Sequence, residues 1–140
     1  MTHTEIWLPG HTVKVECPWW HVQVKGNIGR IARPDESGWC HFSIPTPVLV
    51  ANEEMYLNSA SLMFSTGDQA TITTVEIWHG DTSVLLKENL ALQGDGRVEM
   101  FTLDDEYPAE RGVGIAAYMT FGPKADDSWV DFISVGAEFI

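Results

Sequence analysis

Apolar residues recur at every second position through most of this chain. That period of two, rather than 3.6, commits it to β-strands. The longest run is Val113, Ile115, Ala117, Met119 and Phe121. Shorter ones are Val13/Val15/Cys17, Val22/Val24, Cys40/Phe42/Ile44, Ala60/Leu62/Phe64, Val75/Ile77, Val130/Phe132 and Ala137/Phe139. On a strand, alternate side chains point to opposite faces, so each run predicts one buried and one outward row. Gly-containing turn sequences separate the runs: Asn27-Ile28-Gly29, Glu36-Ser37-Gly38, Thr66-Gly67-Asp68, His79-Gly80-Asp81 and Gly94-Asp95-Gly96. Only 51–57 and 104–110 have a composition compatible with a helical turn, and Pro108 limits the second. Short strands at roughly ten-residue spacing predict an all-β, antiparallel β-sandwich of jelly-roll type, with a small β-barrel as the alternative. The core predicted from the alternation is Phe42, Ile44, Leu62, Phe64, Val75, Ile77, Ile115, Ala117, Met119 and Phe132.

The 140 residues show no internal repeat and no low-complexity linker, so one domain over 1–140 is expected. A chain of this size buries about two-thirds of its unfolded surface and needs no cross-link or metal to fold. Eight Lys and Arg against twenty Asp and Glu give a net charge of −12. That balance excludes nucleic acid and anionic membranes as partners, since both require a basic footprint. The sequence opens without a basic, then apolar, leader, and no apolar run nears the length of a membrane helix, so a cytoplasmic location is expected. Cys17 and Cys40 are accordingly read as thiols rather than a disulfide. In Ile44-Pro45-Thr46-Pro47-Val48 each proline removes a ladder donor, which marks a sheet edge or a corner between sheets.

Trp39-Cys40-His41-Phe42-Ser43-Ile44-Pro45-Thr46-Pro47-Val48 resembles a W-x-H-F-x-I-P-T-P-V signature found in a family of small bacterial and fungal proteins known as a domain of unknown function. Val75-Glu76-Ile77-Trp78-His79-Gly80, Gly112-Val113-Gly114-Ile115 and the closing Ser134-Val135-Gly136-Ala137-Glu138-Phe139 are similar to further parts of that family. The resemblance covers most of the chain from Trp39 onward. It implies one all-β domain and carries no catalytic role with it.

Tryptophan stands beside histidine three times: Trp20-His21, Trp39 with His41, and Trp78-His79. Trp39 and His41, two apart, fall on one strand face; Trp20 and His21 fall on opposite faces. Indole walls suit an apolar or sugar-like ligand, and imidazole titrates near neutral pH. Trp39, Trp78, His79, Trp20 and His21 are therefore the candidate ligand-binding residues, set against a plain packing role for the large indoles. Should the site be catalytic, His41 is the candidate acid or base, with Glu76 and Tyr118 as helpers.

No metal is expected. His21, His41 and His79 with Glu76 match no established ligand spacing. Asp95, Asp104-Asp105-Glu106 and Asp126-Asp127 fit a solvated acidic face better than a calcium loop. No paired carboxylates for glycoside hydrolysis are selected by spacing. The chain lacks a G-x-S-x-G elbow, a phosphate-binding loop, a dinucleotide fingerprint and a C-x-x-C pair. No cofactor is expected. Three functions remain, in this order: non-catalytic binding of a small organic or sugar-like ligand; a small cofactor-free cyclase, isomerase or lyase using His41 in an apolar pocket; and a structural module forming homo-oligomers through a sheet edge, at Pro45-Thr46-Pro47 or the terminal strand.

Overall fold

The computed structural model describes residues 3–46, 49–50 and 53–140. Its strands are β1 (Thr4–Pro9), β2 (Lys14–Val15), β3 (Gln23–Lys25), β4 (Ile28–Ala32), β5 (Ser37–Ile44), β6 (Leu49–Val50), β7 (Glu53–Glu54), β8 (Tyr56–Thr66), β9 (Ala70–His79), β10 (Thr82–Lys87), β11 (Arg97–Pro108), β12 (Val113–Phe121) and β13 (Trp129–Phe139). One sheet runs β11-β8-β13-β4-β3, with β1 also on β13; the other runs β10-β9-β12-β5-β2. Strands β6 and β7 form a separate two-stranded ribbon. All pairings are antiparallel. The chain passes back and forth between the two large sheets, as in a jelly roll. The sheets end in separate edge strands, β11 and β3 on one and β10 and β2 on the other, so they stack as a sandwich and do not close into the alternative barrel.

The rows selected by alternation meet between the sheets. All ten predicted core residues are buried. Phe42 of β5 and Phe132 of β13 join the layers edge to face, ring centroids 5.1 Å apart. Burial of these rows is the main force holding the sheets together. Trp20 closes one end of the core: it is 4% exposed, lies against Gly38 and meets the edge of Phe121 at 6.1 Å. A Cβ at Gly38 would stand 2.8 Å from the Trp20 ring, so the glycine makes room for the indole.

Several expectations are corrected. Residues 53–54, 56–57 and 104–108 lie in strands instead of helical turns, with Met55 between β7 and β8, while 51 and 52 lie outside the described residues. In β11 the inward pair Phe101 and Leu103 fixes a strand period, and a bulge between Thr102 and Tyr107 carries the chain on to Pro108. Val24 is 58% exposed, because the short edge strand β3 has nothing packed on that side. The terminal strand β13 is not an edge. It lies between β8 on one side and β4 and β1 on the other, so its ladder groups are already paired. Pro45 follows β5 as an exposed residue; Pro47 and Val48 lie outside the described residues.

Candidate functional site

The outward row of β12 carries Gly114, Ala116 and Tyr118, and the neighbouring strands place larger residues beside each. Gly114 pairs with Ser43 on β5 and Trp78 on β9. Ala116 pairs with His41 and Glu76. Tyr118 pairs with Trp39 and Thr74. Three parallel rows result, and in two of them the central residue has almost no side chain. Adjacent strands lie about 4.8 Å apart, so the β5 and β9 side chains stand about 10 Å from each other across that low floor. The trough is closed at one end by Tyr118. At the other it opens into a cleft of about 360 Å³ whose lining includes His41, Ser43, Trp78, Gly80, Gly112 and Gly114.

Neighbouring groups hold the walls in place. Trp39 and Tyr118 pack edge to face, and Tyr118 Oη donates to Ser37 Oγ at 3.1 Å. His41 Nε2 contacts the Glu16 carboxylate, which the chain just beyond β2 brings alongside β5. On β10, Ser83 Oγ donates to Glu76 Oε2 at 2.7 Å. Gly114 leaves its part of the floor open: an added Cβ would be 3.6 Å from the Trp78 Cβ and 3.9 Å from the Phe42 carbonyl oxygen. The face thus combines indole surface, two carboxylates, an imidazole and hydroxyls around a shallow apolar floor. Such a surface can stack a flat, partly apolar molecule and hydrogen-bond its rim.

The structure brings together Trp39, His41, Glu76, Trp78 and Tyr118. His41 and Glu76 are kept apart by β12, and the hydroxyl of Tyr118 is engaged by Ser37. His79, at the end of β9, points to the other side of the strand from Trp78, and its Nε2 accepts from the Arg111 backbone N–H at 3.2 Å. Trp20 and His21 are elsewhere: Trp20 is in the core, and His21 is exposed on the connection between β2 and β3. Trp20 instead belongs to a cluster beneath that connection. Trp19 and Trp20 donate their indole N–H groups to Glu36 Oε1 at 3.1 and 3.2 Å, and Arg33 Nε donates to Oε2 at 2.8 Å. These donors, the two indoles foremost, hold the Glu36 carboxyl below the usual carboxylate range.

Among the described residues, the one group of three side chains close enough to share an ion is His3, Glu5 and Glu138, on the opposite sheet, and not the histidines singled out from the sequence. Both cysteines are free; complete burial pushes the Cys40 thiol pKa up and leaves it unreactive.

Sequence reasoning missed Glu16, Ser37 and Ser83: Glu16 and Ser37 meet partners far away in the chain, and Ser83 meets Glu76 across a bulged hairpin. It also missed the floor. The signal was present, since Gly114 and Ala116 are successive outward positions of the longest alternating run.

Known proteins place this architecture. A low-affinity xylan-binding module, CBM86, from Roseburia intestinalis superposes with a TM-score of 0.59 at 14% identity, over 98% of this chain and 96% of that one. A family 29 carbohydrate-binding module from Piromyces equi superposes with a TM-score of 0.53 at 14% identity, over 99% and 91%. At such identity the likeness is one of fold. No functionally curated protein matches the sequence. A model of a family of unknown function matches residues 1–140, including the stretch before Trp39 that the earlier resemblance did not cover.

Proposed function

The chain belongs to that family, DUF6623, and from the geometry of its outward face we propose that it is a non-catalytic carbohydrate-binding module whose β5-β12-β9 face holds a neutral glycan. The observation that carries the reading is the trough itself: Gly114 and Ala116 as floor, with Trp39 and His41 on one side and Glu76 and Trp78 on the other. A pyranose presents C–H groups on its faces and hydroxyls at its rim. The indole of Trp78 offers the apolar contact, and Glu76, His41 and Ser43 offer acceptors and donors for the rim. The sandwich fold, shared with modules described as binding xylan and other carbohydrates, supports the same reading. The trough is open and the inter-sheet space is filled by aromatic and aliphatic side chains, which favours binding over chemistry in an enclosed pocket.

Affinity electrophoresis through gels containing xylan, glucomannan or mixed-linkage glucan tests the proposal. Retardation by at least one of these neutral polymers is expected. Trp78→Ala should reduce the affinity about tenfold, the worth of one lost aromatic contact. Gly114→Val, which raises the floor without touching the core, should reduce it similarly. Unretarded migration in every gel, or retardation unchanged by both substitutions, overturns the reading.

A further inference from the structure

The outward face of the other sheet has its own exposed aromatic. Trp7 of β1 pairs with Gly136 of β13 and is 44% exposed. A Cβ built on Gly136 would meet Cδ2, Cε3 and Cε2 of the indole at 2.5, 2.7 and 2.8 Å. Three ring atoms at nearly equal distance mean that the glycine Cα–Cβ direction runs into the ring face. The indole therefore lies flat over Gly136, with its opposite face turned to solvent.

The next outward row is acidic. Glu5 and Glu138 stand directly opposite each other on β1 and β13, an unfavourable like-charge cross-strand pair. Ligating atoms of His3, Glu5 and Glu138 lie within 4.8 Å of one another. Asn58 Nδ2 donates to Glu138 Oε1 at 2.6 Å, which orients that carboxylate and leaves Oε2 toward His3 Nε2 at 3.7 Å. Two carboxylates thus stand together in the row beside the exposed indole, with one histidine as the nearby basic side chain in the cluster.

A cation brought to this point relieves the Glu5–Glu138 repulsion and is attracted by the indole face. A flat apolar surface beside it calls for a ligand with a broad C–H face as well as a charge. We infer that this face is a second binding site, for an amine-bearing pyranose such as a glucosamine unit of a polymer. The ring stacks on Trp7 while its ammonium group lies between Glu5 and Glu138. The inference concerns the opposite sheet and stands independently of the neutral-glycan reading of the first face.

Isothermal titration of the full chain with a glucosamine tetramer, at low and at moderate salt, tests it. The N-acetylated tetramer and a zinc salt serve as separate titrants. Glucosamine-tetramer binding should fall about tenfold in Trp7→Ala and in Glu138→Gln. It should also fall in Gly136→Ala, whose methyl group lifts the indole from its seat and leaves the rest of the face intact. Thermal melts establish that each variant is folded. Trp78→Ala should leave this binding unchanged. The inference is overturned by no binding, by equal binding of the N-acetylated tetramer, by loss in Trp78→Ala, or by weak binding that salt abolishes equally in the wild type and in Trp7→Ala. Zinc binding that needs His3 while the tetramer fails to bind also overturns it, by making the trio a metal site.

Discussion

Trp39 and Tyr118 meet edge to face across the β5–β12 pairing, ring centroids 5.2 Å apart and planes inclined at 65°. The hydroxyl of Tyr118 is tied to Ser37 on the same strand as Trp39, so each ring limits the movement of the other. Tyr118→Phe keeps the ring and loses only a partly exposed hydrogen bond. It should cost about 1 kcal/mol or less in urea denaturation and leave glycan affinity near that of the wild type. Tyr118→Ala frees the Trp39 indole and should weaken binding several-fold. If Tyr118→Phe is as damaging as Tyr118→Ala, the hydroxyl and not the ring is what the ligand uses.

The inter-sheet contact of Phe42 and Phe132 sets the second prediction. Both are essentially unexposed, and their rings come from different sheets. Phe132→Ala should lower unfolding free energy by about 3–5 kcal/mol, because the cavity forms where neither sheet can collapse into it. Phe132→Leu should cost less. Chemical denaturation with a fixed m-value decides; an effect under about 1 kcal/mol for the alanine variant would contradict this packing.

Close backbone approach gives a third. A Cβ at Gly10 would lie 1.7 Å from the Phe132 carbonyl oxygen, a neighbour that cannot rotate away. Gly10→Ala must move the turn between β1 and β2 off β13 and should cost about 1–3 kcal/mol or more. Thermal unfolding would show it as a drop of several degrees. By contrast, Gly112→Ala, where nothing stands within 4 Å of the added carbon, should change little.

Acid stability follows from Glu36. Its folded pKa is depressed below the ordinary value of 4.5, through the indole donors of Trp19 and Trp20 and then Arg33. A depressed carboxyl adds stability above its unfolded pKa and loses that contribution as pH falls through the folded pKa. Wild type should therefore exceed Glu36→Gln in stability at neutral pH, and the gap should close as the solution is taken below about pH 4.5. Denaturation midpoints of the two proteins across that range are the measurement; a gap independent of pH would remove Glu36 as the cause.

The sandwich was legible because strand alternation is a local property. Cys40, Phe42 and Ile44 declare one face of β5, and Trp39 and His41 declare the other, with no knowledge of what lies beside them. The joint placement of Trp39, His41, Tyr118, Glu76 and Trp78 needed only that their strands be neighbours. The partners of those residues were not legible. Glu16 reaches His41 through a two-residue strand, and Ser83 reaches Glu76 across a bulged hairpin; register of that kind is set by tertiary packing. Trp20 misled for a related reason. Its sequence neighbours mark it as paired with a histidine, yet its surroundings are Glu36, Gly38 and Phe121, all well beyond it along the chain.

One consequence of the position of β13 concerns the speed of folding. Thr4 pairs with Phe139, so the first and last strands of the chain are neighbours, and β8, β4 and β1 all rest on the final one. Among the described residues, β1 has no strand partner until β13 is in place, and β8 has only β11. The β10-β9-β12-β5-β2 sheet, by contrast, uses no strand after β12. Closing the β1–β13 and β8–β13 ladders joins segments far apart in sequence, the kind of long-range pairing that slows folding and prolongs the exposure of unpaired edges to misassembly.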